Sequence, residues 1–165
     1  MARSGKRSAG LLLHRVRDGQ IEVLLAHMGG PFWAKKDDGA WSLPKGEYEP
    51  AEDALTAARR EFAEEMGSSP PAGPAVALGE LRQPSGKVIT AWALHGDFDP
   101  TTVRSNTFEI EWPPRSGRRQ SFPEVDRVEW FALDTARQKL VRGQVPFLDL
   151  LVQRTSHRPA NDPDL

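Results

Sequence analysis

Two apolar runs open the chain, residues 9–16 and 21–27, separated by Arg17-Asp18-Gly19-Gln20. Asp-Gly between apolar runs is a hairpin signal, since both turn residues tolerate a positive φ, so the opening predicts two antiparallel strands. A loop over 29–40 leads to a short strand at 41–44. From Pro50 to Met66 the period changes to that of a helix: at 100° per residue Leu55, Phe62 and Met66 fall within about 40° of one another and form a stripe to be buried. Pro50 fits its first turn, Glu52 and Asp53 complement the positive end of its dipole, and Gly67 fits the left-handed stop. Further strands are predicted at 75–81 and 88–97, around the turn Pro84-Ser85-Gly86, and at 107–112. A loop rich in Pro and Arg then runs to Glu124, 127–132 alternates as a strand, and 133–141 and 146–154 read as short helices. Strands before and after a central helix, with helices at the end, predict an α/β fold, an α/β/α sandwich around a central mixed sheet. Residues 1–8 read as a flexible arm and 155–165 as a flexible tail, leaving a single domain over 9–154.

A length of 165 residues suits one domain with a sizeable core. The chain has no cysteine, which excludes disulfides, thiolate catalysis and cysteine-ligated zinc. Its basic start is followed by only three consecutive leucines, too few for a signal peptide or a membrane span, so a cytoplasmic protein without a membrane partner is expected. A net charge of −1 provides no general field for nucleic acid. Arg115, Arg118 and Arg119 make the one small basic run, either solvated or placed against distal phosphates of a substrate.

Candidate chemistry sits at the end of the central helix, in Arg60-Glu61-Phe62-Ala63-Glu64-Glu65-Met66-Gly67. Positions i, i+3 and i+4 share a face, so Glu61, Glu64 and Glu65 project together and repel one another. Such a trio is kept either on a solvated face or around a divalent cation; ligation by carboxylates alone points to Mg²⁺, Mn²⁺ or Ca²⁺. Ala54 and Ala57 share the arc of the glutamates, where a solvated face would carry long polar side chains. They predict a hollow beside the acids.

The segment from Gly46 to Ser68 resembles the Nudix box, with Gly46, Glu52, Arg60, Glu61, Phe62, Glu64, Glu65 and Gly67 in register and only Ser68 departing, where the family prefers an aliphatic residue. Chance agreement at the seven identities is on the order of 10⁻⁸ at one start position. The resemblance implies a Nudix-type α/β/α sandwich and a hydrolase of phosphoanhydride bonds using Mg²⁺, with Mn²⁺ as the alternative. It implies Glu61, Glu64 and Glu65 as metal ligands, the Gly46 carbonyl as a backbone ligand, and Arg60 as the residue that orients its neighbours, partnered by Glu52; a plain Arg60–Glu52 salt bridge is the other reading. Between Glu47 and Glu65 seven acids face two arginines, so a polyphosphate needs cations between itself and the site. The general base is expected to be a box glutamate or a later loop acid. Glu124 is the candidate, with Glu109, Glu111 and Glu129 as competitors.

Trp41-Ser42-Leu43-Pro44-Lys45-Gly46 is similar to the lead-in of Nudix hydrolases acting on diadenosine polyphosphates, diphosphoinositol polyphosphates and some nucleoside triphosphates. Lys45 is expected to hold a phosphate as a point charge, or else to be a lysine exposed in a turn. Trp33 and Lys36, in a loop that also holds Phe32 and Lys35, either stack a base and bind phosphate or cap the sheet. The expected substrate is a dinucleoside polyphosphate or a nucleoside triphosphate, oxidised or not. The alternatives are an RNA 5′-end pyrophosphohydrolase and a ligand sensor that has lost catalysis.

Overall fold

A computed structural model describes residues 6–156. The chain runs through β1 (Arg7–Arg17), β2 (Gln20–Met28), β3 (Trp41–Ser42), β4 (Lys45–Glu47), α1 (Ala54–Met66), β5 (Ala75–Arg82), β6 (Val88–His95), β7 (Thr107–Glu111), β8 (Arg119–Pro123), β9 (Val125–Ala132), α2 (Leu133–Lys139) and α3 (Pro146–Ser156). Seven strands form one sheet in the order β3-β2-β1-β6-β5, with β4 added to β1 and β9 to β2. β1 and β6 run parallel, the other pairs antiparallel. The sheet is mixed and covered on both faces by helices, the expected α/β/α sandwich. β7 and β8 form a separate two-stranded sheet.

The opening runs lack a clean alternation because both faces of the sheet are buried. Ala9, Leu11 and Leu13 pack with Phe62 and Met66 of α1. Leu12, Val23 and Leu25 face Ala136, Phe147, Leu148 and Leu151 of α2 and α3. β1 and β2 pair over only four positions, from His14 opposite Val23 to Arg17 opposite Gln20. Beyond these they splay: the early part of β1 takes β4 and the late part of β2 takes β3. The candidate site occupies this gap.

Several boundaries differ from the sequence expectation. The strand begins at Arg7, two residues inside the expected arm, and α3 extends two residues into the expected tail; residues 1–5 and 157–165 lie outside the described residues. α1 begins at Ala54 rather than near Pro50, because Asp53 is extended and its carboxylate accepts the Thr56 N–H, which makes it the N-cap. Pro50 stands in a preceding turn closed by Glu52 N–H to the Glu49 carbonyl. Gly67 ends the helix in the left-handed conformation. The expected loop before Glu124 contains β8, paired residue for residue with β7. Among the described residues no helix is long and apolar enough to cross a membrane.

Candidate active site

Gly46 lies on β4 opposite Ala9 of β1, and α1 packs across the same strands. The backbone of Gly46 lies directly against the Glu61 carboxylate: a Cβ there would collide with all three terminal atoms of that side chain. Glycine lets the carboxylate come this close; any side chain at 46 would have to push it aside. The expected hollow beside the acids exists, but Ala57 does not make it. Ala57 is fully buried in the core under α1, because the stripe that docks on β1 is wider than the wheel suggested. The space comes from Gly46 and from the splay of the strands. The cleft measures about 400 Å³, and Ser8, Lys45, Gly46, Glu47, Glu61, Glu64, Glu65, Lys87, Asn106 and Glu124 line it.

Arg60 organises one side of the acids. It grips Glu52 with Nε at 2.9 Å and Nη2 at 2.8 Å, while Nη1 reaches Glu61 at 2.8 Å and Glu64 at 3.2 Å. Its hydrogen bonds hold the Glu52 carboxyl below the usual carboxylate range. Glu65 turns the other way and accepts the Lys45 N–H at 3.2 Å. Burial, reinforced by the charges of Glu124 and Glu61, pushes the Glu65 carboxyl up to about 8. Burial also raises Glu61, with the Glu64 and Glu124 charges adding to it, and Glu124, with Glu64 adding. Lys45 is lowered by the same desolvation, and the acids around it oppose the shift.

Acids that burial and mutual repulsion hold toward the neutral form are a donor set that suits a hard divalent cation, whose charge would relieve both. As they stand, no three His, Asp or Glu side chains among the described residues converge closely enough to hold an ion. Arg60 draws Glu61 and Glu64 aside, and the Lys45 amide holds Glu65. Glu61, Glu64, Glu65 and the Gly46 backbone are the groups that would turn to it.

Glu124 stands between β8 and β9, its N–H bonded to the Asn106 carbonyl, and it faces the box acids across the cleft. Its competitors lie elsewhere. Glu111 is bonded to the Arg115 and Gly117 amides, and Glu109 and Glu129 are exposed on their strands. A second cleft of about 230 Å³ opens beside Glu65 and Glu124 and includes Trp33, Ser42, Lys45 and Phe108. A third, of about 410 Å³, extends past Trp33 and Lys45 to Gln83, Ser85, Lys87 and Gln144. Lys45 is common to all three. A larger open depression of about 600 Å³ shares no residue with them; the Arg15 guanidinium there is already bonded to Glu22 and Asp97.

Trp33 thus borders the second and third clefts. Lys36 lines none of them; its ammonium stands 5.1 Å over the Trp33 ring. Phe32 is 61% exposed and meets Trp112 edge to face. Arg115, Arg118 and Arg119 are exposed at the β7–β8 turn and line no part of the clefts. Ser8, Lys87, Asn106 and Phe108 were not anticipated. None of these left a signal in the sequence; Ser8, expected in the arm, is fully buried and its oxygen has no hydrogen-bond partner among the described residues.

The same arrangement of sheet and helices occurs in solved structures. The *C. elegans* Ap4A hydrolase is 21% identical, with a TM-score of 0.62 over 93% of this chain and 99% of that one. The NUDIX domain of *Shewanella oneidensis* NrtR, complexed with ADP ribose, is 18% identical, with a TM-score of 0.63 over 93% and 90%. The *E. coli* ORF135 protein is 26% identical, with a TM-score of 0.55 over 96% and 97%. No curated protein sequence matches the chain. The NUDIX domain family matches residues 6–151, a span that holds the sheet, the glutamate helix and the cleft between them, and the chain therefore belongs to the Nudix family.

Proposed function

We propose that this protein hydrolyses a phosphoanhydride bond of a nucleoside polyphosphate, a dinucleoside polyphosphate or a nucleoside triphosphate, in a Mg²⁺-dependent reaction. The observation that carries this reading is the junction at Lys45 of an acid-lined cleft with one bordered by Trp33 and Phe108. A polyphosphate with a base at one end has the same division of chemistry. Glu61, Glu64, Glu65 and the Gly46 carbonyl would hold the Mg²⁺, which would supply charge neutralisation at the phosphates and acidify water there. Arg60, held by Glu52, keeps Glu61 and Glu64 beside the cleft until they turn to the cation. Glu124 takes the proton of the attacking water; oxygen bonds to phosphorus, the anhydride P–O bond breaks, and its electron pair leaves with the departing phosphate. Lys45 contacts a phosphate oxygen, and Trp33, with Lys36 over its ring, stacks on the base.

The test is a phosphate-release screen with Mg²⁺ over dinucleoside polyphosphates, canonical and oxidised triphosphates, ADP-ribose, diphosphoinositols and capped RNA, with products identified. Turnover of a nucleoside polyphosphate that stops on chelation is expected. Saturable binding without turnover of any substrate would overturn the reading in favour of a ligand sensor.

A further inference from the structure

We propose that His27 is a positioning residue that ties the loop carrying Trp33 to the segment carrying Glu124, and so sets the affinity of the cleft for its substrate. The proposal rests on the reading of that cleft given above. His27 lies at the end of β2 and is 1% exposed. Its Nε2 stands 2.6 Å from the Lys36 carbonyl oxygen and its Nδ1 2.7 Å from Asp126 Oδ1. A carbonyl oxygen only accepts, so Nε2 must donate. An ionised carboxylate also only accepts, so a proton must lie between Nδ1 and Asp126, on one or the other. The pair is then neutral as a whole and bridges two segments from a buried position.

At one end of the bridge, the Lys36 N–H donates to the Trp33 carbonyl at 2.9 Å. The carbonyl fixed by His27 therefore belongs to the same turn as Trp33. At the other end, Asp126 follows Glu124 by two residues, and the Glu124 carbonyl accepts the Gly29 N–H at 2.8 Å. No residue from 29 to 40 is in a helix or strand, so bonds of this kind decide where Trp33 stands. Trp41 packs edge to face on the His27 ring at 5.0 Å and donates Nε1–H to Asp37, which fixes the ring and the far side of the loop together.

The experiment compares wild type, His27→Gln and Asp126→Ala, alone and with Trp33→Ala. The substrate is a tetraphosphate-bridged dinucleoside, or the fastest substrate of the screen if that differs. Loss of the bridging hydrogen bond predicts a KM increase of about tenfold for either variant, with kcat within about threefold. With Trp33→Ala already present, Asp126→Ala should add less than about twofold, because the residue being positioned is gone. An equal KM increase in both backgrounds, or a fall in kcat alone, would overturn the proposal. A second measurement needs no turnover: amide exchange at Lys36 should quicken at least about tenfold in Asp126→Ala, and unchanged protection would also overturn it. Should wild type turn over nothing in the screen, the reading of the cleft fails while amide exchange still decides the bridge. Asp126 is partly exposed, so its variant serves even where His27→Gln does not fold.

Discussion

The backbone N–H of Lys45 donates to the Glu65 carboxylate at 3.2 Å, which bonds the strand leading into the cleft to the helix that carries the acids. The same two side chains are each driven toward their neutral forms by burial. A cation binding at the acids and a phosphate binding at the lysine would each relieve one of these costs.

The contact between Gly46 and Glu61 predicts the effect of Gly46→Ala. A methyl group there has no room beside the carboxylate, so Glu61 must turn away. Turnover should fall at least ~10²-fold, as for other small misplacements of reacting groups, with little loss of stability, because only the end of one side chain has to move. Steady-state kinetics with a thermal melt checks both; near-normal turnover would remove Glu61 from the site.

Glu65 predicts the pH dependence of stability. Its folded pKa is raised from an ordinary 4.5 to about 8, so the folded state favours the protonated form. Its contribution is fully present below pH 4.5 and is lost as pH rises through about 8. Without divalent cation, Glu65→Gln should melt several degrees above wild type at pH 8.5, and the gap should close toward pH 5. Mg²⁺ at pH 8.5 should raise the wild-type Tm more than that of the variant, while the variant loses at least ~10²-fold in turnover. A pH-independent gap would contradict the burial argument.

Glu124→Gln separates a base from a ligand. If Glu124 takes the proton of the attacking water, the substitution should lower kcat by roughly 10²- to 10⁴-fold and leave the Mg²⁺ concentration for half-activity unchanged. A shift in that concentration would make Glu124 a ligand instead.

Lys45 predicts a change in selectivity. Placed where the three clefts meet, it can reach a phosphate beyond the one attacked, so Lys45→Met should hurt a tetraphosphate-bridged dinucleoside more than ADP-ribose. One charge-assisted contact is worth about 1.5 to 3 kcal/mol, or roughly 10- to 100-fold in the ratio of kcat/KM values. Equal losses on both substrates would assign Lys45 to the shared phosphate.

Local spacing explains what was legible beforehand. Glu61, Glu64 and Glu65 fall on one face of α1 through the helical period alone, and Asp18-Gly19 marks the first hairpin through its tolerance of positive φ. β8 was hidden because Arg-Gln-Ser-Phe-Pro carries no apolar alternation; its strand character comes from pairing with β7. The bridge at His27 was hidden for a related reason: one partner is 9 residues away and the other 99.

The sequence by itself determined the two-faced sheet, the glutamate helix with its stop at Gly67, and the acidic chemistry, because runs, periods and charges are properties of neighbouring residues. Only the tertiary structure decided that Glu124 rather than Glu109, Glu111 or Glu129 faces the box acids, that Gly46 and not Ala57 opens the space beside them, and that Glu65 is held toward its neutral form. Each of these depends on which distant segment fills the volume around a side chain. Excluded volume and desolvation act through space, and the order of residues along the chain does not record them.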